Sequence, residues 1–586
     1  MKSDRMLFGM EKKNRLIRMI QLPVMTAAWV IYRFDAGLTV WQGIAVSVLT
    51  LGLGWLLWHG KTKKMSVGAC WFLGVLSALF GVCSIIGYGV DREIPWIKSF
   101  QVHTVVMAIG MALTFFHVSC VAAWYISLPS RSEKALPKIA RIFKEKPFLV
   151  SAIGIAVAWL PYWLIFFPCS LSNDAINQIE QTIGVYYLSS HHPPFSTFLM
   201  GGCFNFGRFW GSDLFGLWLY TVFQYFAMAF AFAWIIDRCI KRWNCSVSFG
   251  FVVMLYFALL PVWPSFAQFL VKDGVYTVSV VLFMVELIEA VISRRQNWGR
   301  LTVTGLLMSL LRNNGVYIAL AVLISGCIVL RKRQRKYMVI SMAAVIVMMQ
   351  IYSSVVLPAM GVMKGSSREM LSIPFQQTAL YVKEHGDEVT EEEQKAINAV
   401  LDYDSLAEGY SSWISDPVKD TFKADGSLKE YFEVWVKQLF KHPETYFQAF
   451  FNASAGYYSI SVNNAYFANY FYSDTSANIH HQYLFGSLES VREQILQWAD
   501  DIQGVPLIHL AYQAGTYTWS AVLLLWVAFS QKKYEQLVVL SPIFISVLVC
   551  IASPVANCVR YMLPVMAVLP IAIASVAYSI KCKNCT

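Results

Sequence analysis

Charged residues are scarce in this sequence. They make up 14% of its 586 residues, whereas a soluble globular protein has about 25%. Hydrophobic residues account for 57%, and neither an internal repeat nor a low-complexity tract interrupts them. The scarcity of charge therefore argues against a soluble enzyme of this length.

The sequence also lacks the paired motifs of a zinc site. Most of its 12 cysteines, such as Cys70, Cys83 and Cys120, lie inside apolar segments and are interpreted as small buried hydrophobic residues. Cys582 and Cys585 form one C-x-x-C pair without a second pair to complete a metal site. The sequence therefore identifies no definite cofactor. A divalent metal is compatible with the sequence but not supported by it.

Long apolar segments separated by charged loops fill the chain instead. Runs of about 18 or more apolar residues are typical of membrane helices. The pattern predicts an all-α polytopic membrane protein with about 14 transmembrane helices. A basic N-terminus without a small-residue cleavage site indicates that the first segment is retained. The spans are expected at 19–33, 41–59, 66–88, 101–127, 148–168, 213–236, 246–263, 274–293, 301–313, 315–330, 337–358, 516–530, 536–553 and 561–580.

The net charge of +11 comes from loops that fall on one side of this arrangement. By the positive-inside rule that side is cytoplasmic, and both termini lie on it. The excess of Lys and Arg is therefore assigned to membrane topology, and no nucleic-acid partner is expected. The basic loops are 12–15, 61–64, 131–146, 238–242, 294–295, 331–336, 532–533 and 581–583.

Two longer segments face the opposite side, and the chain divides around them. The insert, residues 359–515, is long enough for a small domain. Its capping boxes at Thr390 and Ser427 predict helices. Its many aromatic residues are interpreted as a helical core, with a sugar-binding face as the alternative. The regions are an N-terminal transmembrane extension and basic linker (1–147), a transmembrane core with an outer loop at 169–212 (148–358), the insert (359–515) and the C-terminal transmembrane helices (516–586).

The outer loop carries the most informative residue, Asp174. Ile176, Ile179, Ile183 and Tyr187 recur at helical spacing, which predicts a short amphipathic helix in the membrane interface. Asp174 then lies in its first turn, where an acidic residue is favoured as a cap or by the helix dipole. A cap and a catalytic base are both compatible with this position.

Further polar residues follow the same side of the membrane. His191 and His192 precede a second predicted interfacial helix, and either imidazole is expected to bind substrate or to serve the fold. Cations at the ends of apolar helices often extend to the lipid headgroups. Three cations, Lys272, Arg312 and Arg560, share one depth here and therefore also predict a binding site for an anion such as a lipid phosphate. The residues that directly follow them are Asp273, Asn313 and Tyr561.

The order of these motifs resembles the GT-C-type membrane glycosyltransferases that use polyprenyl-phosphate-linked sugars. The resemblance covers about residues 148–580 and rests on Asp174, Lys272-Asp273, Arg312-Asn-Asn-Gly315, the stretch from Ser372 to Gln377 and Arg560-Tyr561-x-x-Pro564. Within that family, the chain is similar to an uncharacterised bacterial branch. The chain departs from better-known members because Asn173, and not a second acidic residue, precedes Asp174. Glu180 is left as a possible second carboxylate.

The resemblance implies a role for each of these residues. Asp174 would be the general base, and Lys272, Arg312 and Arg560 would bind the lipid phosphate. Apart from these four, the further candidates for contact with substrate are His191, His192, Asp273, Asn313, Gln376 and Tyr561.

The expected function is transfer of a sugar from a polyprenyl-phosphate donor to a cell-envelope glycan, lipid or protein. It would take place on the extracytoplasmic face of a bacterial cytoplasmic membrane. Three alternatives remain open: a flippase or transporter of lipid-linked saccharides, a ligase or polymerase of lipid-linked glycans, and a non-catalytic scaffold or sensor. A transporter should have polar groups near the midplane of broken helices, whereas here they gather at one surface.

Overall fold

Nearly every apolar segment of the described chain forms a helix. The computed structural model describes residues 66–127, 137–293, 297–462, 470–552, 555–556 and 558–582. The spans predicted at 19–33 and 41–59 lie outside these residues. The remaining twelve predicted spans each coincide with a helix, because uninterrupted apolar sequence leaves the backbone no polar partner except its own amides.

The first helices form a hairpin and a connecting segment. α1 and α2 pack side by side, and the turn between them contains a short 3₁₀ helix, Trp96–Ser99. The linker predicted at 131–146 contains an amphipathic helix, α3, whose Phe143 is buried. These helices are α1 (Val67–Asp91), α2 (Val102–Ser127) and α3 (Lys138–Glu145).

The transmembrane core follows, and α10 lies at its centre. Almost all residues of α10 are buried, because α7, α11 and α25 pack around it. The core elements are α4 (Pro147–Ile165), β1 (Ser170–Leu171), α5 (Asn173–Thr182), α6 (Pro194–Phe209), α7 (Asp213–Lys241), α8 (Val247–Leu259), α9 (Val262–Gln268), β2 (Phe269–Leu270), α10 (Lys272–Val291), α11 (Trp298–Leu311), α12 (Gly315–Val329), α13 (Lys332–Ile351), a π-helical turn (Tyr352–Val356) and α14 (Leu357–Ala359).

The insert has a separate hydrophobic core. Phe375, Leu406 and Tyr431 are fully buried in it, and Phe432 and Trp435 pack against it. Part of the aromatic set thus forms a helical core, whereas Tyr457 joins the transmembrane core and Phe447 is exposed. The capping box of Thr390 and Glu393 is present with both of its hydrogen bonds. The helices are α15 (Ser372–His385), α16 (Glu391–Val400), α17 (Tyr403–Gly409), α18 (Asp416–Lys419), α19 (Leu428–Lys441), α20 (Pro443–Ser454) and α21 (Glu489–Asp501), with 3₁₀ helices Ser367–Leu371, Gly386–Glu388, Ala455–Tyr457, Gly486–Leu488 and Ile502–Gly504.

The chain ends in helices that return to the core. α25 packs against α10, α23 and α24, which returns residues near 560 to the helices that begin near 272. These helices are α22 (Pro506–Tyr512), α23 (Ala514–Ser530), α24 (Gln536–Ala552) and α25 (Val559–Lys581).

Seven described helices are long and apolar enough to cross a membrane. An eighth crossing results if α8 and α9, which are bent by 54° relative to each other, count as one span. α12, α23 and α24 are apolar but shorter. The described chain is therefore an all-α protein with membrane-type helices, while the count of fourteen stays a prediction. The seven are α1, α2, α4, α7, α10, α25 and the stretch Lys332–Ala359.

The amphipathic helix predicted after Asp174 is shorter than its apolar repeat. α5 ends at Thr182, and Gly184 follows with a φ of +82°, a conformation that glycine adopts without steric cost. Ile176 and Ile179 are buried as predicted, whereas Tyr187 lies beyond the helix and is exposed. The apolar spacing continues past Gly184 to Tyr187, but the backbone conformation at this glycine ends the helix first.

Candidate functional site

A two-residue parallel pairing brings the starts of two helices together. Ser170 pairs with Phe269 and Leu171 with Leu270, and each strand runs directly into a helix, β1 into α5 and β2 into α10. The Ser172 side chain accepts a hydrogen bond from the Ala175 amide at 3.0 Å and donates one to the Leu270 carbonyl at 2.9 Å. Ser172 is thus the cap of α5, so the alternative that Asp174 caps this helix is wrong.

The Asp174 carboxylate instead binds two cations. Its Oδ2 accepts a hydrogen bond from Lys272 Nζ at 2.9 Å and another from Arg560 Nη2. Lys272 begins α10 and Arg560 lies in the first turn of α25. Residues that are 98 and 386 positions from Asp174 in the chain therefore meet at a single oxygen atom.

A second carboxylate extends this arrangement. Asp273 accepts Arg560 Nε at 2.7 Å on Oδ2 and Arg312 Nη1 at 2.7 Å on Oδ1. Arg560 therefore bridges the two carboxylates. We call this group the ion-pair cluster: Asp174, Lys272, Asp273, Arg312 and Arg560.

Burial differs across the ion-pair cluster. The Asp273 side chain is 1% exposed, whereas that of Asp174 is 33% exposed. The three cationic side chains lie between these values, at 9–16%. Because a buried charge is costly unless it is paired, Asp273 holds the two arginines together, and Asp174 is the member that a molecule from outside can reach.

The cations control the protonation of Asp174. Burial raises the pKa of its carboxyl, but the charges of Arg560 and Lys272 outweigh burial and hold the pKa well below the usual range. Asp174 is therefore an anion at neutral pH. The same two contacts make it a poor proton acceptor for as long as they persist.

His192 adjoins the ion-pair cluster through Lys272. Its Nδ1 lies 3.2 Å from Lys272 Nζ. Burial, followed by the charge of Lys272, lowers the pKa of His192 to about 3, so the imidazole is neutral at physiological pH. A neutral Nδ1 beside an ammonium group accepts its hydrogen bond, which leaves the proton of His192 on Nε2. Lys272 is thereby fixed between Asp174 and His192.

Two aromatic rings hold Arg312 in place. Its guanidinium carbon lies 4.9 Å from the centroid of the Tyr561 ring and 5.4 Å from that of Tyr276. Arg312 follows α11 directly, and Gly315 begins α12. A Cβ on Gly315 would lie 2.6 Å from the Ser309 Cα, so only glycine allows this tight reversal. Arg312 is therefore aimed by the break in its apolar segment.

The other predicted residues stand apart from the ion-pair cluster. The rings of His191 and His192 form an edge-to-face pair, with 4.7 Å between centroids. Asn313 is exposed in the turn before α12. Gln376 is buried in the insert, where its amide donates to the Ile414 carbonyl at 2.8 Å. The expectation that Gln376 contacts substrate gains no support, because this hydrogen bond ties its amide to the insert.

Glu180 also has another role in this structure. It accepts hydrogen bonds from Ser476 Oγ at 2.6 Å and Asn478 Nδ2 at 2.9 Å. Asp273, which sequence reasoning assigned only as a substrate contact, is the second carboxylate of the site. Its position one residue after Lys272 was the available signal.

Sequence reasoning missed a segment of the insert that lies over this region. The Asp474 carboxylate accepts the Asn173 amide at 2.8 Å, and the Asp474 amide donates to the Leu171 carbonyl at 2.8 Å. The His481 ring lies 2.8 Å from the Cys169 carbonyl. Only its polar composition distinguished this stretch in the sequence.

A divalent metal does not suit the ion-pair cluster in this arrangement. Both oxygens of Asp273 and Oδ2 of Asp174 already bind guanidinium or ammonium groups. A metal ion would have to expel these cations from the carboxylates and then lie among them. The chemistry of the cluster therefore favours binding of an anion over binding of a metal.

Comparison with known proteins identifies a family. Residues 183–583 match a family model described as a family of unknown function (DUF6020). This range includes His191, Lys272, Arg312 and Arg560 but begins after Asp174. No curated protein and no solved structure matches the chain.

Proposed function

The chain belongs to the DUF6020 family, and we propose that it is an integral membrane glycosyltransferase of the GT-C type. It moves a sugar from a polyprenyl-phosphate-linked donor to a glycan, lipid or protein of the cell envelope. The observation that carries the proposal is the convergence of Lys272 and Arg560 on one oxygen of the accessible Asp174 carboxylate.

The ion-pair cluster has the charge that a phosphate site requires. Three cations face two carboxylates, so the cluster carries an excess of one positive charge. At the position of Asp174 Oδ2, an anionic oxygen accepts hydrogen bonds from both Lys272 and Arg560. A phosphate oxygen of the donor fits the same two partners, since charge-assisted hydrogen bonds to guanidinium and ammonium groups favour it strongly.

Before the donor binds, the Asp174 carboxylate occupies the position that the donor phosphate will take. The donor phosphate takes over Lys272 and Arg560, and the carboxylate loses the cations that lower its pKa. The freed Asp174 then accepts a proton from the acceptor hydroxyl while that oxygen attacks the anomeric carbon. The bond between this carbon and the phosphate oxygen breaks, and polyprenyl phosphate leaves with its charge stabilised by the cations.

Each partner has a defined share in this step. A positioned general base contributes about 10²–10⁴ in rate, and stabilisation of the leaving phosphate adds an electrostatic term. Asp273 touches no reacting atom and serves as a positioning residue, because it holds Arg312 and Arg560 at 2.7 Å. His192 likewise positions Lys272.

The proposed site faces away from the cytoplasm of a bacterial cell, with both termini inside. α7 and α10 begin at the same end of the bundle, where the Tyr220 hydroxyl of α7 donates to the Val271 carbonyl at 3.3 Å. At their opposite end, Arg238, Arg242 and Arg300 line a cleft together with Glu286 and Glu289. The excess of basic residues at that end supports its cytoplasmic orientation.

Release of polyprenyl phosphate tests the proposal. Purified full chain in lipid would be given a panel of polyprenyl-phosphate sugars and a crude envelope extract as acceptor. Asp213→Asn is the matched control, because Asp213 also lies in a helix's first turn and pairs with an arginine, Arg208, at 2.8 Å. The wild type and this control should release polyprenyl phosphate, and Asp174→Asn should not. Donor binding without release by the wild type from any sugar would favour a flippase.

A further inference from the structure

Two histidines and a glutamate meet in the insert, away from the ion-pair cluster. His385 ends α15, Glu388 lies in the following 3₁₀ helix, and His442 separates α19 from α20. One nitrogen or oxygen atom from each residue lies within 4.8 Å of the others. Two separate segments, residues 385–388 and the junction at His442, thus direct metal-ligating atoms to one place.

The two imidazoles face the same carboxylate, that of Glu388. His442 Nε2 lies 3.1 Å from Glu388 Oε2, and His385 Nδ1 lies 3.9 Å from Glu388 Oε1. The rings are stacked with 3.7 Å between centroids and 9° between planes. Because an imidazole lone pair lies in the plane of its ring, one of the two rings must turn about its side-chain bonds before both nitrogens bind one ion. The backbone already places the two rings in contact.

The far nitrogen of His385 is held by a hydroxyl group whose own proton is committed. Thr445 Oγ1 donates to Glu384 Oε2 at 2.8 Å and lies 3.0 Å from His385 Nε2. Since a hydroxyl has one proton to donate, His385 Nε2 must carry the hydrogen of the second bond. In the neutral ring Nδ1 then has a lone pair directed towards Glu388.

The far nitrogen of His442 is held by a carboxylate. Glu444 Oε1 lies 3.0 Å from His442 Nδ1, and a carboxylate only accepts, so Nδ1 donates. His442 Nε2 then faces the Glu388 carboxylate, and a positive species must lie between them: a proton on the ring or a metal cation. Metal-ligating histidines typically donate their other N–H to a carboxylate or a similar acceptor, and both rings have such a partner.

We propose that the insert binds one Zn²⁺ ion through His385 Nδ1, His442 Nε2 and Glu388. Two imidazoles and a carboxylate are a zinc donor set, with the fourth position left for water. Glu388 also contacts Lys441 at 2.8 Å, but that side chain is 46% exposed and can swing away. The bound ion fastens the end of α15 to the junction of α19 and α20, independently of any transferase activity.

Metal binding by the purified full chain tests this site. Protein stripped with EDTA would be titrated with zinc chloride in competition with a chromophoric chelator, and its thermal unfolding followed by tryptophan fluorescence. The wild type should bind one equivalent of Zn²⁺ at this site and unfold at a higher temperature with the metal. Mg²⁺ and Ca²⁺ at the same concentration should do neither, because they prefer all-oxygen sites.

Variants separate the site from stray binding by other histidines. The double variant His385→Gln/His442→Gln should lose the equivalent and the thermal shift. Glu444→Gln should retain the fold and bind zinc about 10–100-fold more weakly. His480→Gln, which removes an exposed histidine of the insert, should match the wild type.

Three results would overturn the proposal. They are no saturable zinc binding by the wild type, equal binding by the double variant, and unchanged zinc affinity in Glu444→Gln. The last comparison decides the question even where the double variant fails to fold.

Discussion

Replacing Asp174 by asparagine should improve donor binding and slow turnover by about 10²–10⁴. The carboxylate competes with the donor phosphate for Lys272 and Arg560, which both contact its Oδ2. Asparagine keeps the shape of the side chain and removes its charge, so the excess charge of the ion-pair cluster rises from one to two. Most polar residues in a binding site weaken binding when neutralised, and Asp174 should do the opposite.

The size of the gain follows from the geometry. Two unit charges about 4 Å apart interact with about 4 kcal/mol at an effective dielectric constant near 20. Because Asp174 is 33% exposed, water screens this interaction. We therefore expect the donor-binding free energy to improve by about 1–2 kcal/mol, or roughly tenfold in affinity. Loss of the general base should lower turnover by about 10²–10⁴.

Two measurements on one preparation separate these effects. Binding of a polyprenyl-phosphate sugar would be followed by tryptophan fluorescence without acceptor, and polyprenyl phosphate release with acceptor. The fold should survive, because Arg560 keeps Asp273 and Lys272 keeps His192 as partners. Asp213→Asn, the matched control, should change neither quantity. Weaker donor binding in Asp174→Asn, in proportion to its loss of turnover, would refute the competition between the Asp174 carboxylate and the donor phosphate.

Three further outcomes follow from the same contacts. Asp273→Asn removes the carboxylate partner of the buried Arg312, and one of the two carboxylate partners of Arg560. It should lower the free energy of unfolding by about 3–5 kcal/mol; a thermal unfolding midpoint equal to that of the wild type would contradict this. Arg560→Lys keeps the charge but cannot span both carboxylates, so the donor KM should rise about tenfold or more; an unchanged KM would show that the bridge is unimportant. The pKa of His192 falls from 6.5 to about 3 on folding, so the unfolded chain binds an extra proton below about pH 6.5 and stability must decline there. His192→Gln should therefore show a shallower loss of unfolding temperature than the wild type between about pH 6.5 and 4.5, and parallel curves would contradict the burial of a neutral imidazole.

The sequence was sufficient to predict the helices and the common side of the cations. Apolar length and flanking charge are local properties, and each described span coincides with a helix within a few residues. Lys272, Arg312 and Arg560 were expected at one end of the bundle, and they meet there. Their roles in catalysis remain predictions.

The partners within the site could not be predicted from local pattern. Asp174 reaches Arg560 only because β1 pairs with β2 and α25 packs on α10. Nothing in the spacing of residues 386 positions apart encodes that contact. Gln376 was expected to contact substrate because it lies at the start of the insert, whereas the packing of the insert directs its amide to the Ile414 carbonyl.

The phosphate site proposed at Lys272 and Arg560 would be visible in a structure with polyprenyl phosphate bound. Electron cryo-microscopy of the full chain in lipid, with and without the ligand, would locate the phosphate. We expect a phosphate oxygen within about 3 Å of Lys272 Nζ and the Arg560 guanidinium, with the Asp174 carboxylate released from both. A bound phosphate elsewhere, with the two Asp174 ion pairs unchanged, would contradict it.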